Sequence, residues 1–327
     1  MTTILAGANY TMWPGLNPRD FDMQLSTATF RRREWARQSY GFVDDVSFTR
    51  EFEPLSEGWF GAWIWPMTND FTTVAGYFLE LIDSNGDTLV GLSLTSDDNM
   101  AVNAPFLSEE VVALIFDSPA GEIAYSFRFD DTDGYLRVFG RGEELFSFQG
   151  DTVGSTQGAA VGMRLTRHTT NSGVSRTPIF SEILLSTEPT LGFKVVDTEL
   201  SVASLSQWDG TPSNITPVGY ASTEDSLSTE DADQLVTFSR PAIPALDEDD
   251  FIASVHFETS QLAASGAPAP EADLLVYDGS EHGAERVQPG TSFSEFRVQW
   301  DQDPRTNAPW TEAGVNEIEV GVASRTA

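Results

Sequence analysis

The chain has 327 residues, 40 % hydrophobic and 11 % aromatic, enough for two domains that each bury a core. Cysteine is absent, so disulfides, thiolate nucleophiles and cysteine-ligated zinc are excluded. Acidic residues number 50 against 18 basic ones, a formal net charge of −32 that repels phosphate backbones and argues against a nucleic-acid partner. The same acidity suits general solubility, or a salty medium in which screening makes self-repulsion cheap.

No run of the sequence approaches the ~20 apolar residues of a membrane-spanning helix. No basic region followed by an apolar run opens the chain, so neither membrane insertion nor a signal peptide is expected. Residues 1–40 carry no sustained period of either kind, and Pro14, Gly15 and Pro18 punctuate them. Arg31, Arg32, Arg33 and Arg37 then form a dense basic cluster on an acidic chain. We read 1–40 as an N-terminal arm and these arginines as docking residues that pair with carboxylates across an interface. A solvated arm or a short helix over 31–39 is the plainer alternative.

From residue 41 to 190 the chain is a procession of short β-rich runs: 46–49, 59–65, 77–82, 89–94, 111–116, 123–129, 135–139, 145–148 and a last one ending near Ser186. Asn85-Gly86 between two of them is a hairpin signal, and 118–121, 130–134 and 141–142 are turn formers. Such spacing predicts an all-β sandwich. Glu188-Pro189-Thr190 ends the last strand, and Trp208-Asp209-Gly210 opens new turn chemistry. A second β-sandwich is expected over 191–327, with strands at 234–238, 251–258, 274–277 and 293–300. AASGAPAPE at 263–271 reads as an exposed excursion. Near the end Thr311 can cap a helix of at most two turns, with Val315 and Ile318 on its inner face and Gly314 weakening it.

No reactive constellation emerges. Glycosidases of the jelly-roll kind carry Glu-x-Asp-x-x-Glu, which is absent; Glu271-Ala272-Asp273 is the nearest fragment. His168, His256 and His282 are far apart, none with a ligand partner at metal-binding spacing, and read as satisfied histidines. The acidic loops 83–87 and 130–134 superficially suggest calcium but do not continue to a bidentate Glu, and read as hairpin turns. No catalytic residue, metal ligand or cofactor is therefore expected, and the chain is not expected to be an enzyme. Trp59, Trp63 and Trp65 share strand parity and so one face. Burial of all three in the sandwich core is expected ahead of a sugar-stacking platform.

The strand at 123–129, the run DGYLRVF at 133–139 and Gly142-Glu143-Glu144-Leu145-Phe146 resemble a laminin-G or concanavalin-type jelly roll, with Arg141 in place of the usual Asn. FSEILLSTEPTLGFKV (180–195) resembles the closing strand and linker of such domains in structural proteins of tailed bacteriophages. STEDADQLVTFSRPAIP (228–244) and WDQDPRTNAPWTEAGVNEIEVGV (300–322) also resemble phage virion proteins. The resemblance covers roughly 120–322 and implies a virion component of tail-fibre, tail-tip or head-appendage type. It would be made in the host cytoplasm and assemble with other virion proteins and with copies of itself, as a homotrimer. The alternative on the same scaffold is a receptor-binding lectin for host-surface glycan.

Overall fold

The computed structural model describes residues 3–7, 47–65, 77–94, 99–109, 111–114, 121–154, 156, 158–166, 179–193, 200–205, 208–211, 226–248, 250–263, 271–291 and 294–325. The chain divides into two compact units, Met1–Asp197 and Thr198–Ala327.

The first unit contains β1 (Thr3–Gly7), β2 (Ser47–Leu55), β3 (Glu57–Trp65), β4 (Tyr77–Ile82), β5 (Thr88–Leu94), β6 (Met100–Asn103), β7 (Val111–Leu114), β8 (Gly121–Arg128), β9 (Gly134–Gly140), β10 (Glu143–Gly150), β11 (Ala160–Thr166) and β12 (Ile179–Ser186). They form two antiparallel six-stranded sheets of a jelly-roll sandwich, ordered β1-β12-β3-β8-β9-β10 and β2-β11-β4-β5-β6-β7. Alternation on the first sheet turns Phe60, Ile64, Ile123, Tyr125, Phe127, Leu136, Val138, Ile183 and Leu185 inward, all fully or nearly fully buried. Phe60 stacks on Tyr125 with ring centroids 4.7 Å apart. From the facing sheet Leu79, Leu81, Val90, Leu92, Met163 and Leu165 complete the core.

Both acidic loops are hairpin turns held by their own carboxylates. Asp83 accepts the backbone N–H groups of Asn85 and Asp87 on one oxygen, at 2.8 and 2.9 Å. Gly86 takes φ 82°, a conformation open to glycine. Arg164 of β11 forks onto Glu80 of β4 at 2.8 and 3.0 Å and reaches the Gly86 carbonyl at 3.1 Å, tying the turn to the sheet. Asp130 likewise accepts from the Thr132 N–H, the Thr132 hydroxyl and the Asp133 N–H, each at 2.8 Å. These bonds hold the Asp130 carboxyl below its ordinary value.

Of the stretch read as an arm, only Thr3–Gly7 is described. It is an edge strand, antiparallel to β12, running from Thr3 opposite Ser186 to Gly7 opposite Ile183. Arg31, Arg32, Arg33 and Arg37 lie outside the described residues. Strands β1, β6 and β11 were not expected from sequence. The first two are only five and four residues long, and β11 interrupts its alternation with Gly162 and the ion-paired Arg164.

The second unit contains β13 (Ser201–Ser204), β14 (Leu235–Ser239), β15 (Val255–Gln261), β16 (Glu271–Tyr277), β17 (Glu281–Val287), β18 (Ser294–Trp300), α1 (Glu312–Glu317) and β19 (Glu319–Arg325). A five-stranded sheet, β13-β14-β19-β16-β17, accompanies the pair β15-β18. Val236, Phe257, Leu274, Val276, Val298, Trp300, Trp310, Val315, Ile318, Val320 and Val322 form its core. Thr311 caps α1 by accepting the Gly314 N–H at 3.0 Å, and Val315 and Ile318 face inward as expected. Trp310 donates its indole N–H to the Trp300 carbonyl at 2.8 Å. Asp303, 4 % exposed, is gripped by Arg305 at 2.7 to 3.1 Å, and Arg305 also donates to the Gly314 carbonyl at 2.9 Å. The stretch 300–322 thus closes this unit, with Trp300, Asp303, Trp310, Val315, Ile318, Val320 and Val322 buried and residues between them exposed. The strand expected over 251–258 begins instead at Val255, because Ile252 bridges to Trp310 outside any ladder. Of the excursion at 263–271, only buried Ala263 and Glu271, the first residue of β16, are described.

Candidate functional site

Strand β3 reads EGWFGAWIW. Its even positions supply the core, so Trp59, Gly61 and Trp63 project from the opposite, outer face of the sheet. Trp59 and Trp63 are partly exposed there. The expectation that the indoles fill the sandwich core is therefore corrected. Phe60 and Ile64 occupy that place, matched across the ladders by Tyr125, Ile123, Leu185 and Ile183. The side chain of Trp65 lies outside the described residues.

Neighbouring strands place polar groups around the two indoles. Trp63 stands directly opposite Glu122 of β8 on one side and Glu182 of β12 on the other. These carboxylates are 8 % and 4 % exposed, and about 10 Å separates their strands across β3. Trp59, about 13 Å along the strand, is flanked by buried Ser126 and Ser186. It stacks on Phe139 of β9 with centroids 5.4 Å apart, and Arg137 lies over the same Phe139 ring at 5.4 Å.

The crossing segment after β12 folds onto this face. A Cβ at Gly61 would lie 2.8 Å from the Thr190 hydroxyl oxygen, so glycine is required for Thr190 to sit over the strand between the indoles. Thr190 is 2 % exposed, and its hydroxyl has no hydrogen-bond partner among the described residues. Gly192 donates its N–H to a Glu122 oxygen at 3.1 Å, and Phe193 donates its own to the Thr190 carbonyl at 3.1 Å.

Further out, the two arginines that the ladders set on this face are paired. Arg128 forks onto Glu57 at 2.8 and 3.0 Å, and the Tyr135 hydroxyl adds a third bond at 3.0 Å. The Arg128 guanidinium holds the Glu57 carboxyl below its ordinary value. Arg137 pairs with Glu144 of β10. The outer face thus carries two partly exposed indoles beside nearly buried carboxylates and hydroxyls, with Thr190 lying over the strand between them.

Other residues singled out in the sequence stand elsewhere. Glu271 and Asp273 are bound by arginines: Arg286 pairs with both, and Arg325 donates to Asp273 at 2.7 Å. His256 meets Ser254 through Nε2 at 2.7 Å, while its Nδ1 accepts from Arg297 Nε at 3.1 Å. An Nδ1 that accepts from a guanidinium leaves the proton on Nε2, so His256 donates to Ser254 and cannot take its proton as a base. His282 pairs with Asp278 at 3.0 Å, and His168 lies outside the described residues. Among the described residues no three His, Asp or Glu side chains group to hold a metal. No described helix is long and apolar enough to cross a membrane.

Glu122 and Glu182 were missed in the sequence because they lie 60 residues apart and meet only through β3. The available signal was a lone Glu inside each of two otherwise mostly apolar strands, GEIAYSFR and IFSEILLS.

No protein-family model matches the chain. No curated protein matches it either. Among solved structures, an endo-β-1,4-glucuronan lyase from the fungus Trichoderma reesei is 10 % identical, with 57 % of this chain and 96 % of that chain covered at a TM-score of 0.39. The CBM40 of the Ruminococcus gnavus IT-sialidase, bound to α2,3 sialyllactose, is 11 % identical over 41 % of this chain and 77 % of that one, at a TM-score of 0.28. A heptameric SAP-like pentraxin from Limulus polyphemus is 15 % identical over 44 % of this chain and 70 % of that one, at 0.29. At these identities and scores, nothing that those proteins bind or act on carries over to this chain.

Proposed function

We propose that this chain is a glycan-recognition protein that holds a saccharide on the outer face of the sheet containing β3. One observation carries this: Trp59 and Trp63 leave the core and stand partly exposed on one face, bordered by Glu122, Glu182 and the hydroxyl of Thr190. Indole faces stack on the apolar face of a pyranose, and nearby oxygens accept its hydroxyls and fix its orientation. The role is recognition without turnover. The test is a glycan array probed with the wild type and with a variant carrying Trp59→Ala and Trp63→Ala. Binding that falls at least about tenfold in the variant is expected, since stacked aromatics dominate such sites. Binding that survives the double substitution sinks the proposal.

A second reading is supported by the sequence resemblance at 180–195, 228–244 and 300–322. The chain would be a structural component of a tailed-phage virion, a homotrimeric tail fibre, tail tip or head appendage, with residues 1–40 docking on another virion protein. Recognition of a host-surface glycan and a place on the particle are compatible. Mass spectrometry of purified particles, with tails separated from heads, is expected to find the chain in stoichiometric amount. Its absence from particles would remove the virion role and leave the saccharide site standing.

A further inference from the structure

We propose that β10, the open edge of its sheet in the first unit, pairs antiparallel with β10 of a second copy of this chain about a two-fold axis near Phe146. The inference rests on neither reading above. Strand edges that face water are blunted by charge or by brevity. Among the described edge strands, β2, β15, β17 and β18 carry charges in mid-strand, such as Glu51, Glu258, Glu285 and Arg297. The edge strands β1, β7 and β13 span at most five residues. β10 is eight residues long and uncharged from Leu145 to Gly150, an open ladder to which another strand can add.

The margin beside it is apolar. Leu145, and Val112 of β7, are two of the three large hydrophobic side chains exposed among the described residues. A Cβ on Gly140 would lie 2.8 Å from Leu145 Cδ1 and 2.3 Å from the Ala113 carbonyl oxygen, so Leu145 and the backbone of β7 meet over one glycine. Phe146 and Phe148 stand opposite the core residues Val138 and Leu136, yet both stay only half-buried. Apolar side chains grouped beside an open ladder are what an added strand covers.

Self-complementary charge makes the occupant a second copy. Glu143 and Glu144 both lie at the start of β10, so a parallel copy would set like charge against like. A two-fold near Phe146 instead sets Glu143 of each copy against Gln149 of the other, and Arg141 against Asp151. Arg141 and Asp151 are both exposed. Arg141, in the turn between β9 and β10, meets no described carboxylate, unlike Arg128 and Arg137. Its backbone takes φ 53°, a conformation that the other described non-glycine residues to adopt it, Asp233 and Asn307, tolerate more easily. Asp151 accepts the Val153 and Gly154 N–H groups on one oxygen, and such neutral donors leave its charge in place. A two-fold between antiparallel neighbours runs normal to their sheet, so both outer faces, with Trp59 and Trp63, point the same way.

The experiment is sedimentation equilibrium of the full chain from about 1 to about 100 µM in about 0.15 M salt, which screens repulsion between copies beyond about 8 Å. A species of twice 35.8 kDa is expected. Leu145→Lys, Arg141→Asp and Asp151→Arg are each expected to weaken the dimer at least about tenfold. An equimolar mixture of Arg141→Asp with Asp151→Arg is expected to restore dimers, because the mixed pair sets opposite charges at both contacts. Circular dichroism checks that each variant folds. Should Asp151→Arg not fold, Leu145→Lys and Arg141→Asp carry the readout without it. A monomer over the whole range, a trimer, or a dimer unweakened by Leu145→Lys and Arg141→Asp overturns the inference. Folded charge variants whose mixture dimerises no better than either alone overturn it as well.

Discussion

His256 shows how far single residues could be read. The sequence marked it as a satisfied histidine, and it is one, held between Ser254 and Arg297. Burial, and then the positive charge of Arg297, keep its imidazole well below the ordinary value of 6.5. For a histidine depressed in this way the unfolded chain takes up the proton first. Its contribution is therefore complete above about pH 6.5 and is lost as pH falls below that value, by up to about 1.4 kcal/mol per pH unit. Urea unfolding of the second unit is expected to show a steeper loss of stability between about pH 7.5 and 5.5 in the wild type than in His256→Gln. Equal slopes would mean that the imidazole is not held neutral. At the candidate site, the shared parity of Trp59 and Trp63 was legible, whereas which way they point was not. That depends on Phe60 and Ile64 finding Tyr125, Ile123, Ile183 and Leu185, residues about 60 and 120 positions further on.

Elements declared themselves where the chemistry was local. The turn at 83–87 carries its signal in Asn85-Gly86 and is closed by Asp83, and the cap of α1 needs only Thr311 and Gly314. Strand β9 has a stricter requirement at its first residue. A Cβ on Gly134 would lie 2.0 Å from the Thr152 hydroxyl, 2.7 Å from the Asp130 carbonyl and 2.8 Å from the Gly150 carbonyl. Thr152 cannot step aside, because its hydroxyl accepts the Asp130 N–H at 3.0 Å and donates to the Arg128 carbonyl at 2.7 Å. Gly134→Ala is expected to lower the stability of the first unit by about 2 to 3 kcal/mol, seen as a lower urea midpoint with an unchanged slope. A cost near that of an ordinary surface glycine, below about 1 kcal/mol, would show that the turn relaxes freely. Strand β11 was illegible for the opposite reason: Arg164 belongs in it only because Glu80 waits on β4.

At the scale of the molecule, strand content and the two sandwiches were legible from turn spacing and alternation, while the order of strands within each sheet was not. Local pattern says that a segment pairs, not with which partner. The negative charge was equally plain, but its management was not. Among the described arginines, Arg128, Arg137, Arg164, Arg286, Arg297, Arg305 and Arg325 face carboxylates, while Arg240 donates to backbone carbonyls instead. One topological fact bears on how such a chain is made. In each unit the last described strand is an interior one: β12 lies between β1 and β3, and β19 between β14 and β16. A ribosome delivers residues from first to last, so neither of these two sheets can be completed until its final strand has left the exit tunnel. Until then β1 and β3, and later β14 and β16, present open edges towards a missing neighbour. Such late, sequence-distant pairing raises contact order, slows folding and defers the closing of each sheet until its own last strand has emerged.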